Sequence, residues 1–254
     1  MIKYIKQEAI TLYLSISYFT RLYIPFIKIN DYSKITLAIK YLPVVGALVG
    51  IQNYLFYNLC FFLFNDRLLS VALMVLFNIY VTRAFHEDGL ADTFDAFGGG
   101  YDKEKILKIL KDSSIGTFGA LALIFSVLMR IILYYKIYSY LGIIIIFVPF
   151  ISRLYPLLTV KFYKYVESDN ISKTNFDKSI VNFTLLFFYF FLTFAILVYL
   201  SYELAIIPLI LLVIWFLLSH YFNKKIDGYR GDCLGAIQQL SEISFLIIYY
   251  IMRK

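Results

Sequence analysis

Seven membrane-length apolar runs, near positions 37–63, 67–86, 115–135, 139–160, 180–200, 202–222 and 234–251, leave this chain little choice of solvent. About twenty apolar residues in a helix match the hydrocarbon thickness of a bilayer, and only helices or closed barrels satisfy their backbone there. Barrel strands would alternate polar and apolar side chains over about ten residues, and no such alternation is present. The expectation is all-α: a polytopic transmembrane helix bundle of about seven spans, one domain over residues 1–254, with no internal repeat or linker. A mean hydropathy of +0.75 with only 16% charged residues excludes an ordinary soluble enzyme.

Basic residues orient such a bundle. Lys3, Lys6, Arg21, Lys28, Lys34 and Lys40 precede the first span, and further lysines crowd the segments 103–111, 161–178 and 224–230; the other side holds Arg67, Lys136, Arg253 and Lys254. The positive-inside rule puts the N-terminus and the lysine-rich loops in the cytoplasm, so the chain reads as a multi-pass protein of the cell membrane. The net charge of +7 calls for no nucleic acid, because anionic lipids attract the same lysines. Lys103, Lys105 and Lys108 read as a solvated or headgroup-facing surface. Residues 1–26 begin like a signal peptide, but Arg21 and Pro25 interrupt the run and no small-residue cleavage site follows. Apolar positions 10, 14 and 18 predict instead an uncleaved amphipathic helix at the interface. Cys60 and Cys233 fall on opposite sides of the membrane and cannot pair. The 24 Tyr and 25 Phe read as lipid-facing packing and interfacial belts.

Against that background the stretch from His86 to Gly100, His-Glu-Asp-Gly-Leu-Ala-Asp-Thr-Phe-Asp-Ala-Phe-Gly-Gly-Gly, is costly. Carboxylates near hydrocarbon are a functional-site hypothesis by default. Asp88, Asp92 and Asp95 fall within roughly a 60° arc of one helix. Like charges so close take up protons unless a cation sits between them, and hard oxygen donors suit Mg²⁺ or Mn²⁺. Gly98, Gly99 and Gly100 are expected to turn the backbone sharply beside a ligand. Glu87 lies about 100° around the helix from Asp88, which leaves open both a solvent-facing or lysine-paired side chain and a catalytic group. His86 reads first as an interfacial side chain.

Further polar residues follow. Asp112 suits an N-cap of the next span, though Lys111, Asp112 and Ser113 beside Gly116 and Gly119 also suit a polyphosphate site. Arg153 is embedded in a span between Pro149 and Pro156 and needs a partner. The stretch from Asp227 to Glu242 offers Asp232 as an N-cap, Gly235 and Ala236 for close packing, and Glu242 about 15 Å along the last helix, inside the bilayer.

The segment from His86 to Asp92 with Asp95 and Gly98 to Gly100, followed by Lys-Asp-Ser-Ser-Ile-Gly-Thr-Phe-Gly at 111–119, closely resembles the signature of the cobalamin synthase family of adenosylcobinamide-GDP ribazoletransferases. Phe19-Thr20-Arg21-Leu22 with Pro25, the run Leu42 to Gly50, and Gly231 to Ala236 with Glu242 are similar to its terminal patterns. Arg230 and Cys233 stand where that family has threonines, and Gln239 where it has an acid.

The resemblance implies a Mg²⁺-dependent transfer that joins adenosylcobinamide-GDP to α-ribazole, or its 5′-phosphate, and releases GMP at the cytoplasmic face. On that reading Asp88, Asp92 and Asp95 hold the metal, and Asp95 or Glu87 takes the ribazole proton. Lys111 acts on phosphate, and Gly98, Gly99, Gly100, Asp112, Arg153 and Asp232 bind substrate. Such a transfer needs these parts, since diphosphate charge must be neutralised, a leaving group polarised and a hydroxyl deprotonated. Membrane lipids surround the bundle, and oligomeric state stays open, a homo-oligomer included. A Mg²⁺-dependent phosphotransferase of the CDP-alcohol type is the alternative reading. A transporter is more distant, because the acids cluster at one end of the bundle instead of at mid-bilayer.

Overall fold

A computed structural model of the chain describes residues 2–22, 35–137, 140–166 and 178–254. Pro25, Lys28, Lys34 and Lys173 lie outside those residues. The helices are α1 (Ile2–Phe19), α2 (Ile35–Ala38), α3 (Leu42–Phe64), α4 (Arg67–Val81), α5 (Phe85–Gly99), α6 (Lys103–Ile109), α7 (Thr117–Lys136), α8 (Leu141–Ser152), α9 (Leu154–Phe162), α10 (Phe183–Leu200), α11 (Ile207–Ile226) and α12 (Gly231–Met252). Six segments of the described chain are long and apolar enough to cross a membrane: Thr36–Phe64, Thr117–Lys136, Leu141–Phe162, Phe183–Leu200, Tyr202–Ile226 and Gly231–Met252. The bundle is therefore polytopic and helical, as the apolar runs require.

The expected span at 67–86 is the exception. Its helix stops at Val81, and α5 leaves at 86° to α4, so only the bent pair taken together passes as a seventh crossing. Two consecutive non-glycine residues in left-handed conformation, Arg83 (φ 59°) and Ala84 (φ 54°), make the corner. Such geometry costs of order 1–3 kcal/mol per residue and persists only where the surroundings enforce it. Arg21 helps to do so: its N–H donates to the Val81 carbonyl (2.7 Å) and its Nε to that of Tyr80 (2.8 Å).

The α8–α9 segment is the most buried of the six. Pro156 has no N–H to give the carbonyl four residues back, and the helix breaks at Arg153. α3 lies directly against α8, because Gly46 and Gly50 bring its backbone to the carbonyls of Pro149 and Ile146. Lipid-facing rings cover the outside, Phe187, Phe188, Phe191 and Phe194 on α10 among them. α1 packs inward more than an interfacial helix would. Thr11, Leu14, Ser15 and Phe19 are buried, whereas Ile10 and Tyr18 are half-buried, and Glu8 pairs with Lys40 at 2.7 Å.

Contacts between loops define two ends of the bundle. At one end Lys103 pairs with Asp227 (2.7 Å), and Tyr165 and Val166 bridge to Tyr229. At the other, Arg67 donates to the carbonyl of Ile137, and Arg253 lies over the ring of Tyr140 and donates to Leu200. The lysine-rich loops thus share an end, as the charge count predicts. Cys60 and Cys233 are both buried and free.

Candidate active site

Two glycines bring the two polar segments of the sequence together. A Cβ on Gly89 would stand 2.8 Å from the Asp232 carbonyl oxygen, and one on Gly235 would stand 3.0 Å from that of His86. α5 and α12 therefore meet backbone to backbone, as small residues allow between membrane helices. The contact sets Asp232 in the first turn of α12, facing the acidic helix. The N-cap of α12 is Arg230, two residues earlier than the expected Asp232, and no side chain caps that end.

Asp88 is exposed, and Asp92 and Asp232 are half-buried. On α5, outside the six crossing segments, burial pushes the Asp92 carboxyl up to about 6, helped by the negative charges of Asp232, Asp88 and Asp95 in that order. The groups acting on Asp92 are all acids. Among the described residues no three acids, cysteines or histidines stand close enough together to enclose a metal ion by themselves.

Asp95 does a different job from the one expected of it. Its two oxygens accept the backbone N–H groups of Gly116 (2.7 Å) and Gly119 (2.8 Å), so a carboxylate from α5 caps the start of α7. A Cβ at either glycine would collide with that carboxylate, which explains the glycine spacing at 116 and 119. Asp112 is correspondingly not the cap of α7. It is exposed and accepts from the backbone N–H and hydroxyl of Ser114, bonds that hold its carboxyl below the usual range. Lys111 is exposed beside it.

The glycine triplet does not turn sharply. Gly98 and Gly99 are helical, and Gly100 caps α5 in extended conformation. Their value is closeness: Gly98 lies against the ring of Phe118, and a Cβ on Gly100 would stand 2.6 Å from Ile106. That packing positions α6 and α7 around the end of α5.

Beneath the carboxylates lies a buried polar network. Glu87 faces neither solvent nor lysine; it pairs with Arg130 of α7 at 3.0 Å and accepts from Gln239 at 3.2 Å. Glu242 lies 4.0 Å from the same guanidinium and accepts from Gln238 at 2.8 Å. Ser126 donates to Gln239, and Gln238 donates to Ser152, so α5, α7, α8 and α12 are joined. Arg153 belongs to this layer and not to the exposed acids. It is buried, donates to the Pro149 carbonyl (2.9 Å) and lies within electrostatic reach of Glu242 and Glu87. His86 is also buried, not interfacial, and its surroundings hold it neutral: desolvation first, then Arg153 and Arg130. Arg130, Gln238 and Gln239 went unread as site residues, although a lone arginine inside an apolar run is the signal that finds the first of them.

Comparison with known proteins identifies the family. The family model for cobalamin-5-phosphate synthase (CobS) matches residues 11–250. Proteins named adenosylcobinamide-GDP ribazoletransferase are similar over nearly the whole chain. One from Leptospira interrogans is 35% identical, covering 88% of this chain and 89% of its own. One from Shewanella sp. (strain W3-18-1) is 35% identical over 94% and 92%, and one from Pseudoalteromonas atlantica is 35% identical over 99% and 94%. No solved structure matches. With the family model matching from the middle of α1 to the end of α12, this chain belongs to the cobalamin-5-phosphate synthase family.

Proposed function

We propose that the protein joins adenosylcobinamide-GDP to α-ribazole, or its 5′-phosphate, with release of GMP, and that the carboxylates between α5 and α12 are the reacting centre with Mg²⁺ as cofactor. One observation carries the reading above all: the Gly89–Gly235 contact that sets Asp232 opposite Asp88 and Asp92. Magnesium fits these donors. It takes oxygen ligands, keeps several waters, and sits on one or two carboxylates plus substrate phosphates in preference to a closed protein cage. Asp88 and Asp92 would hold it, with Asp232 of α12 close enough to act on Asp92. Bound there, it neutralises diphosphate charge and polarises the leaving oxygen.

The remaining steps belong to side chains. A ribose hydroxyl of the acceptor attacks the phosphorus that carries the cobinamide arm, the P–O bond to GMP breaks, and a new P–O bond to the ribose forms. The hydroxyl proton goes to Asp232, because Glu87 is held by Arg130 and Asp95 by the α7 backbone. Lys111 supplies positive charge to the departing GMP. The lysine-rich end faces the cytoplasm, where soluble nucleotides are, and Lys105 and Lys108 meet anionic headgroups of the cell membrane. The test is GMP release by the full chain in liposomes supplied with adenosylcobinamide-GDP, α-ribazole and Mg²⁺. GMP and a cobalamin are expected, with no product from a CDP-alcohol; product from the CDP-alcohol alone would make the protein a different phosphotransferase.

A further inference from the structure

Arg230 stands where the lysine-rich loops hand the chain over to α12. On one side of it the Tyr229 N–H donates to the Lys164 carbonyl and the Tyr229 carbonyl accepts from the Val166 N–H, both at 2.9 Å; on the other side α12 begins at Gly231. The backbone that carries its side chain is thus held at both ends. Arg230 is half-buried, and its Nε and Nη1 are enclosed without a hydrogen-bond partner among the described residues. Donors on a permanent charge are expensive to enclose unless an anion meets that charge. The guanidinium lies within electrostatic reach of Asp232, which in turn acts on Asp92. Space beside it is open, since a Cβ on Gly231 would meet nothing within 4 Å.

We infer that Arg230 holds the 5′-phosphate of the acceptor and so sets how strongly this chain prefers the phosphorylated nucleoside to the free one; the assignment rests on the ribazoletransferase reading above. A guanidinium offers several fixed donors to phosphate oxygens. The donor's diphosphate has its counter-charge in Mg²⁺ and Lys111, whereas an acceptor phosphate would approach Asp88, Asp92 and Asp232 with charge of their own sign. A cation on the acceptor's side must offset it. Covalent structure then fixes the place. Asp232 receives the proton of the attacking ribose hydroxyl, and a 5′-phosphate on the same ribose is only a few bonds away, so it comes to rest beside Asp232. Arg230 lies two residues before Asp232 and has the long side chain to reach it.

Initial rates would be measured on the full chain in liposomes, with α-ribazole and with α-ribazole 5′-phosphate as acceptors. In Arg230→Gln the ratio of kcat/KM for the phosphorylated to the free nucleoside is expected to fall about tenfold to a hundredfold, the worth of a charge-assisted hydrogen bond. Arg230→Lys should recover part of that ratio, and KM for adenosylcobinamide-GDP should stay at the wild-type value. In the wild type, which keeps the test independent of how the variants fold, ribose 5-phosphate should compete with the acceptor and not with the donor, and ribose should compete far less. An unchanged ratio in Arg230→Gln, or a rise in KM for adenosylcobinamide-GDP with either acceptor, would overturn the assignment, the second result giving Arg230 to the donor's diphosphate. Absence of GMP release by the wild type with both acceptors would overturn the reading beneath it instead.

Discussion

Asp92 is the side chain whose surroundings say most about what the site awaits. A carboxyl pushed to about 6 by burial and three neighbouring acids binds extra protons in the fold. Without a divalent cation, stability therefore falls as pH rises through the interval between the ordinary aspartate value and about 6. Asp92→Asn is expected to raise Tm in Mg²⁺-free buffer near pH 7, and to leave it unchanged near pH 4, where the wild-type carboxyl is already protonated. The charge excess would be disproved by equal Tm values near pH 7. Arg130 follows the opposite logic. Removing it in Arg130→Met leaves Glu87 and Glu242 without their shared counter-ion, a change worth about 3 kcal/mol or more for a buried pair. Denaturant unfolding of that variant should show the loss, and adding Glu87→Gln should recover part of it. The acids were legible in the sequence because charge in an apolar chain stands out. The role of Asp95 was not, since helical periodicity places it with Asp88 and Asp92, whereas its partners are N–H groups more than twenty residues on.

The element that matters most is α5, and its direction comes from its neighbours. Thr82, Arg83 and Ala84 contain neither glycine nor proline, so nothing local marks the 86° corner, and an unbroken span was the natural expectation. Conversely, the glycine triplet suggested a turn that the chain does not make, because packing against Phe118 and Ile106 uses the missing side chains instead. Glycines 89 and 235 are where helix packing and chemistry coincide. Gly89→Ala puts a methyl 2.8 Å from the Asp232 carbonyl and must push α12 away. It is expected to cut turnover more than tenfold, because a displacement of about 1 Å at reacting groups costs that much or more, while helix content by circular dichroism stays near wild type. Full activity in Gly89→Ala would mean that the α5–α12 distance does not set the site.

Across the whole molecule, the charge pattern groups the lysine-rich loops at one end, and the Lys103–Asp227 and Val166–Tyr229 contacts join three of them there. Exposed Lys105 and Lys225 report the lysine-rich end and Asn65 the other. Single cysteines at 105 and 225, in a chain lacking Cys60 and Cys233, should react with an impermeant thiol reagent only after cells are permeabilised, and one at 65 should react in intact cells. Labelling of 105 from outside would reverse the orientation.

The central claim is that acids from two distant parts of the chain act as one Mg²⁺-dependent unit, and a double-mutant cycle on GMP release tests it most directly. Rates across a Mg²⁺ titration would be compared for wild type, Asp92→Asn, Asp232→Asn and the double variant. Each single variant is expected to lose about a hundredfold or more in turnover, on the order of 3 kcal/mol, with a higher Mg²⁺ requirement for Asp92→Asn. The double variant should be little worse than either, as groups acting together are non-additive. Wild-type rates and Mg²⁺ dependence in Asp232→Asn, or losses that simply multiply in the double variant, would contradict it.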